Sequence, residues 1–237
     1  MAGGTAPVVV KRSGAVVEVV LNRPDRRNAL SASSISALSD AFAGLAGSDA
    51  GAVLLRGEQG FFCSGLDLGE VDPSGSVVEA WTEVHCALDQ VGLPLIACLE
   101  GGAINAGAAL ALACDLMVAG ENSYLQVMEA AMGVTPPVNA AWLALRFPAA
   151  VGRQLALSCR RFTGPDLHRM GVALDVVGDD ETLGHARRLA ERIASYPASA
   201  AIRTKRILRQ TSGEIDGFSA VVARTAPVLP SLEADPS

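Results

Sequence analysis

The spacing of apolar residues changes several times along the chain, and each change marks an element. Residues 8–11 and 15–21 are β-branched runs split by Ser13-Gly14, the signature of a hairpin. A polar loop follows, Asn22-Arg23-Pro24-Asp25-Arg26-Arg27-Asn28. The spacing of Ile35, Leu38, Phe42 and Leu45 predicts a helix over 31–45, with serines at its start as caps. Residues 52–55 predict a short buried strand, and 57–69 (GEQGFFCSGLDLG) a turn-rich loop. Val77, Trp81, Val84, Leu88 and Val91 recur at helical spacing and predict an amphipathic helix over 76–91. On that helix His85 is expected at a solvated or rim position. Residues 94–99 and 115–119 predict buried strands, and 124–127 a shorter one.

Beyond Glu129 the pattern turns irregular through Gly133-Val134-Thr135-Pro136-Pro137. Helices are predicted over 140–147, over 151–159, and over 165–170 with Thr163 as cap. A strand is expected at 172–177, then a helix capped by Asp180 and running to 195. Its acids come early and its arginines (187, 188, 192) late, as the helix dipole prefers. Residues 198–210 predict a basic helix, on which Lys205 and Arg206 are expected to be solvated or to reach an anionic ligand. His168 itself is expected at the surface. The tail from 226 carries three prolines and is expected to be loose. Strand–strand–helix order recurs along the first two thirds, without a sequence-level repeat or an obvious linker.

Composition narrows the function classes. Half of the 237 residues are hydrophobic, but only 4% are aromatic, so the core is aliphatic and alanine-rich. No apolar run approaches the roughly 18 residues of a membrane-spanning helix, and MAGGTAP lacks the features of a signal peptide. The net charge of −6 argues against general nucleic-acid binding. Five cysteines (63, 86, 98, 114, 159) lie scattered in apolar contexts, with no C-x-x-C pair, and are expected to be buried thiols of a reducing, cytoplasmic compartment. The three histidines show no metal spacing, so no metal site is expected. Neither a G-x-S-x-G elbow, a P-loop nor a G-x-G-x-x-G fingerprint is present.

The stretch GGAINAGAALALACD, 101–115, organises the rest. Small residues permit close backbone approach, and a helix starting near 106 presents free N–H groups and the positive end of its dipole. That is a place to hold developing negative charge; taken alone, it is equally a helix packed closely on a strand.

Four segments, LNRPDRRNAL (21–30), FFCSGLDL (61–68), GGAINAGAALALACDL (101–116) and the surroundings of Glu129, together resemble the crotonase superfamily of enoyl-CoA hydratases and isomerases. TGPDLHRMGVALDVV (163–177) fits more weakly. The resemblance implies an α/β fold: a crotonase-like spiral of ββα turns over 1–190, then a helical C-terminal region over 191–237, shortened here. It implies an acyl-CoA or enoyl-CoA thioester as substrate, coenzyme A entering as part of it, no separate cofactor, and a homotrimer or dimer of trimers.

By the same resemblance the backbone N–H groups of Leu66 and Ala106 hold the thioester oxygen. Arg26, Arg27, Ala29, Ser64, Gly65, Asp67, Leu68, Gly107, Ala109, Met128 and Pro137 match positions lining CoA or substrate. The arginines are alternatively a solvated basic loop. Asn105 stands where relatives usually carry glycine, and asparagine tolerates a positive φ.

Hydratases of this group use two glutamates. One register falls on Ala109, which transfers no proton; the other falls on Glu129, otherwise readable as a salt-bridged strand-end residue. Pro137 stands where a backbone N–H helps hold the attacking water, and proline has none. The pattern is closer to the one-glutamate isomerases, with Glu129 as acid and base, its pKa raised by burial beside Met128 and Met132. The alternatives are a non-catalytic acyl-CoA binder or another reaction of the same fold: residual hydration, decarboxylation or thioester hydrolysis. Glu70, Glu79 and Glu100 are substitute carboxylates by number only.

Overall fold

The computed structural model describes residues 6–70, 75–135, 137–211 and 217–225. The expected loose tail lies outside them. The chain opens with the predicted hairpin of β1 (Val8–Ser13) and β2 (Val16–Leu21), and a 3-10 turn at Pro24–Arg26 leads to α1 (Ala32–Ala43), whose cap Ser31 accepts from the Ser34 N–H. Then follow β3 (Ala52–Gly57), α2 (Gly75–Asp89), β4 (Leu95–Leu99), β5 (Gly102–Ile104), α3 (Ala106–Ala113), β6 (Leu116–Gly120) and β7 (Tyr124–Gln126). A second 3-10 turn, Glu129–Met132, precedes α4 (Pro137–Arg146) and α5 (Ala149–Ser158). Last come β8 (Phe162–Thr163), α6 (Gly164–Arg169), β9 (Asp175–Val177), α7 (Thr182–Ala194), α8 (Ala198–Thr211) and α9 (Gly217–Thr225).

The main sheet runs β1-β2-β3-β4-β6-β9, parallel except for the opening hairpin, and a smaller sheet runs β5-β7-β8. This is the α/β architecture expected. The central strands are apolar on both faces because both are covered, and their residues alternate between two cores. Val53, Leu55, Leu95, Ala97 and Leu99 pack with α1, α2 and α3. Leu54, Ile96, Cys98 and Val118 pack under Ala186, Leu189 and Ala190 of α7. Glu18 points to the α7 side, where Arg187 (2.6 Å) and Arg56 (3.0 Å) hold its carboxyl below the ordinary range against the effect of burial.

Several expectations are corrected. His85 is not at a rim: it is fully buried, edge-on to Trp81, and its Nδ1 accepts the Trp142 indole N–H at 2.8 Å. Phe218 of α9 stacks on Trp142 with centroids 4.8 Å apart and completes the enclosure. Burial pushes the imidazole down to about 3, so it is neutral, with its proton on Nε2. Lys205 is not solvated either. Its Nζ pairs with Asp115 (2.8 Å) and donates to the carbonyls of Val91 and Leu93, anchoring α8 to the body. Asp180 does not cap α7, because a turn closed from the Glu181 N–H to the Gly178 carbonyl makes Glu181 the residue before the helix. Of the cysteines, all free, Cys63, Cys98 and Cys114 are buried as expected, whereas Cys86 and Cys159 are half-buried. Among the described residues no helix is long and apolar enough to cross a membrane.

Candidate active site

The loop after β3 runs alongside β5. The Cys63 N–H donates to the Gly102 carbonyl and the Ile104 N–H to the Cys63 carbonyl, both at 3.0 Å. Gly107, in the first turn of α3, is pressed on this loop: a Cβ there would lie 2.4 Å from the Cys63 carbonyl oxygen. Gly65 turns at φ +100°, and a methyl on it would lie 3.1 Å from the Ile104 carbonyl and 3.9 Å from the Ala106 nitrogen. Thus Leu66 and Ala106 sit on abutting segments. Leu66 bridges to Leu30 through its neighbours, the Gly65 carbonyl and the Asp67 N–H, so its own N–H faces the opposite edge. Ala106 is the first residue of α3, where an N–H has no helical acceptor. Among the described residues no hydrogen bond uses either N–H.

The arginine-rich loop is held by one of its own polar side chains. Buried Asn28 accepts from the Arg23 N–H and donates to the carbonyls of Glu58 and Phe61. The Ser64 N–H and hydroxyl in turn donate to the Arg27 and Arg26 carbonyls. Asp67 is paired with Arg23 at 3.1 Å, and Arg23 also reaches Glu70 at 2.8 Å and the Ala29 carbonyl. Asp67 therefore clamps two loops together. Ala29 is buried, Leu68 is largely exposed, and the Arg26 and Arg27 side chains are exposed, the latter over the Phe61 ring.

Glu129 opens its 3-10 turn within reach of the start of α3. Asn105 has φ +51°, as its place in a glycine register suggests; its Oδ1 accepts the Met128 N–H at 2.9 Å. Glu129 Oε1 accepts from Asn139 Nδ2 at 2.8 Å, while Oε2 is buried without a partner. Burial raises the Glu129 carboxyl above its ordinary range, and hydrogen bonds from its own backbone, from Asn139 and from the Met128 backbone pull only partly the other way. No charged side chain contributes to that shift. Met132 is half exposed, its sulfur 3.7 Å from Asn105 Nδ2.

A family model described as enoyl-CoA hydratase/isomerase matches residues 11–219. The chain belongs to this enzyme family, whose members act on acyl-CoA. It is 31% identical to the 2,3-dehydroadipyl-CoA hydratase of Escherichia coli over 212 residues, 86% of this chain and 82% of that one. It is 29% identical to the carnitinyl-CoA dehydratase of Proteus mirabilis over 84% of this chain and 78% of that one. Among solved structures, an enoyl-CoA hydratase from Mycobacterium avium subsp. paratuberculosis superposes with a TM-score of 0.85 at 25% identity, covering 94% of this chain and 91% of that one. A monofunctional enoyl-CoA isomerase from M. smegmatis gives 0.75 at 27% identity, covering 91% and 95%.

In this chain of the enoyl-CoA hydratase/isomerase family, Ala109 and Pro137 are the positions at which a departure from the two-glutamate pattern is expected. Ala109 is fully buried within α3, and Pro137 is the first residue of α4. The other carboxylates offered by number lie apart in kind. Glu70 pairs with Arg23, and Glu79 is exposed. Glu100 is half-buried and raised by that burial, with Arg56 opposing. A cavity of about 740 Å³ lies between α8 and the body, lined by Asp115, Arg146, Phe147, Tyr196 and Lys205 among others; of the residues expected to meet a ligand, only Lys205 lines it, and its ammonium is taken up by Asp115.

Proposed function

We propose that the protein converts a 3-enoyl-CoA to the conjugated 2-enoyl-CoA. Glu129 Oε2 takes a proton from C2, and the electron pair moves into a dienolate. The growing charge on the thioester oxygen is met by the N–H groups of Leu66 and Ala106. Protonated Glu129 then returns the proton to C4, the double bond ends between C2 and C3, and no water or net proton is consumed. Coenzyme A enters as part of the substrate, no separate cofactor takes part, and Arg26 and Arg27 are the cations offered to its phosphates. We also infer a trimer or dimer of trimers in the cytoplasm, from the family resemblance and from the free cysteines.

The observation that carries this reading is the environment of Glu129: half-buried, raised in pKa and, among the described residues, without a cation, one oxygen held and the other buried and unpartnered. A base that must hold a proton between two carbons works best with a pKa lifted toward neutrality. With alanine at 109 and proline at 137, the registers that the family resemblance assigns to a second carboxylate and to a water-holding N–H supply neither. A second reading, hydration of a 2-enoyl-CoA, draws support from the hydratase names among the relatives. Purified protein is given a 3-enoyl-CoA and, separately, a 2-enoyl-CoA. The expected result is appearance of the conjugated thioester chromophore from the first substrate and no mass gain of one water from the second. Hydration of the second alone would replace the isomerase reading. Acyl-CoA binding without any conversion would make the protein a binder.

A further inference from the structure

Asn139 touches both halves of the proposed chemistry. Its Nδ2 donates to Glu129 Oε1 at 2.8 Å and to the Asn105 carbonyl at 3.0 Å. A carbonyl only accepts, so the carboxamide orientation is determined: the nitrogen faces Asn105 and Glu129, and both its hydrogens are used. The Asn105 carbonyl and the Ala106 N–H belong to one planar peptide and turn together. The Asn105 carbonyl also accepts the Ala109 N–H of α3 at 3.0 Å, so Asn139 is its second donor; the two together set the direction of the Ala106 N–H and polarise the peptide. At the other contact, Oε1 faces a donor and cannot carry a hydrogen against it. Among the described residues, Glu129 Oε2 and Asn139 Oδ1 remain buried acceptors without a partner.

We propose that Asn139 is a positioning residue that locks the Glu129 carboxyl and the Ala106 peptide to one carboxamide and assigns proton transfer to Oε2. This rests on the isomerase reading above. The arrangement gives a one-base site its order: a single oxygen moves along the substrate from C2 to C4, while the oxyanion donor is held at a fixed offset from it. Asparagine suits the task because one side chain supplies two hydrogens from one atom. A serine offers one, and an aspartate none when ionised.

The test compares the parent with Asn139→Ala and with Asn139→Asp, which keeps the side-chain shape. Both variants are expected to lose about 10- to 100-fold in kcat while KM for the 3-enoyl-CoA and acyl-CoA binding stay near the parent values. In Asn139→Ala the acid limb of kcat moves to higher pH, because a donor to the carboxylate is gone. Titration of the Glu129 carboxyl by ¹³C NMR reads the same shift without turnover. Unchanged kcat together with an unchanged titration would overturn the proposal, and so would equal losses in kcat, substrate binding and melting temperature in both variants. If the parent isomerises nothing but the titration shifts in Asn139→Ala, the isomerase reading falls and the hold on Glu129 stands. If the parent isomerises and the variants match it, the reading stands and the proposal falls.

Discussion

Two half-buried carboxylates sit at the two ends of α3, and the protein treats them in opposite ways. Asp115 follows the C-terminal end, where the helix dipole already disfavours a negative charge. Burial pushes its carboxyl up, but Lys205 and Arg146 reverse this and hold it below its ordinary range. The Leu95 N–H adds a further bond at 2.8 Å. Glu129, tied through Asn139 to the N-terminal end, receives one side-chain hydrogen bond and no cation, and its pKa goes up. Burial alone does not separate a structural acid from one suited to moving protons. The separation comes from how many partners the rest of the chain supplies.

The comparison breaks most visibly if the two residues are changed in turn. Glu129→Gln is expected to lower kcat for isomerisation by about 1,000-fold, to leave acyl-CoA binding near the parent value and not to lower the melting temperature, by equilibrium titration and calorimetry. Asp115→Asn should do the reverse. It leaves Lys205 and Arg146 without their counter-ion and costs about 3 kcal/mol in urea unfolding, with kcat of the folded fraction kept. Lys205→Ala removes one of two cations and three hydrogen bonds from a site that Arg146 still serves, at a cost of about 2 kcal/mol.

The smallest effect is in the pH dependence of stability, where the two acids should have opposite signs. Glu129 binds a proton more tightly folded than unfolded, so its contribution to stability falls as pH rises from its ordinary 4.5 through its raised value. Asp115 binds a proton less tightly when folded, so its contribution is present above its ordinary 3.8 and is lost as pH falls below that. Unfolding curves of Glu129→Gln against the parent should therefore converge toward pH 4.5 and separate above it, the variant being the more stable.

Much of the fold was legible because its signals are local. The Ser13-Gly14 break, the apolar spacing of α1 and α2, and the Thr163 cap with its reciprocal bond from Asp166 all appear where the sequence places them. β5 and β8, of three and two residues, are too short to show a period and form only because Tyr124–Gln126 lies between them. α9 falls inside the helical C-terminal region expected over 191–237 but has no bounds readable in the sequence, and with it goes His85: the helix that buries it comes more than 130 residues later in the chain.

The site divides along the same line. Gly65 and Gly107 are readable as close approaches because only backbone and small residues are involved. The side-chain arrangement is not. Asp67 looked like a ligand-facing acid until Arg23 was seen beside it, and Lys205 looked like a free cation until Asp115 was. Asn139 carried no local sign at all. Its meaning depends on a carbonyl 34 residues earlier.

The measurement that tests the central claim most directly is the fate of deuterium in a 3-enoyl-CoA labelled at C2. If Glu129 alone carries the proton, early product formed in ordinary water contains deuterium at C4, and Glu129→Gln forms essentially no product. Product whose C4 hydrogen comes wholly from solvent, formed at the parent rate by Glu129→Gln, would contradict the account.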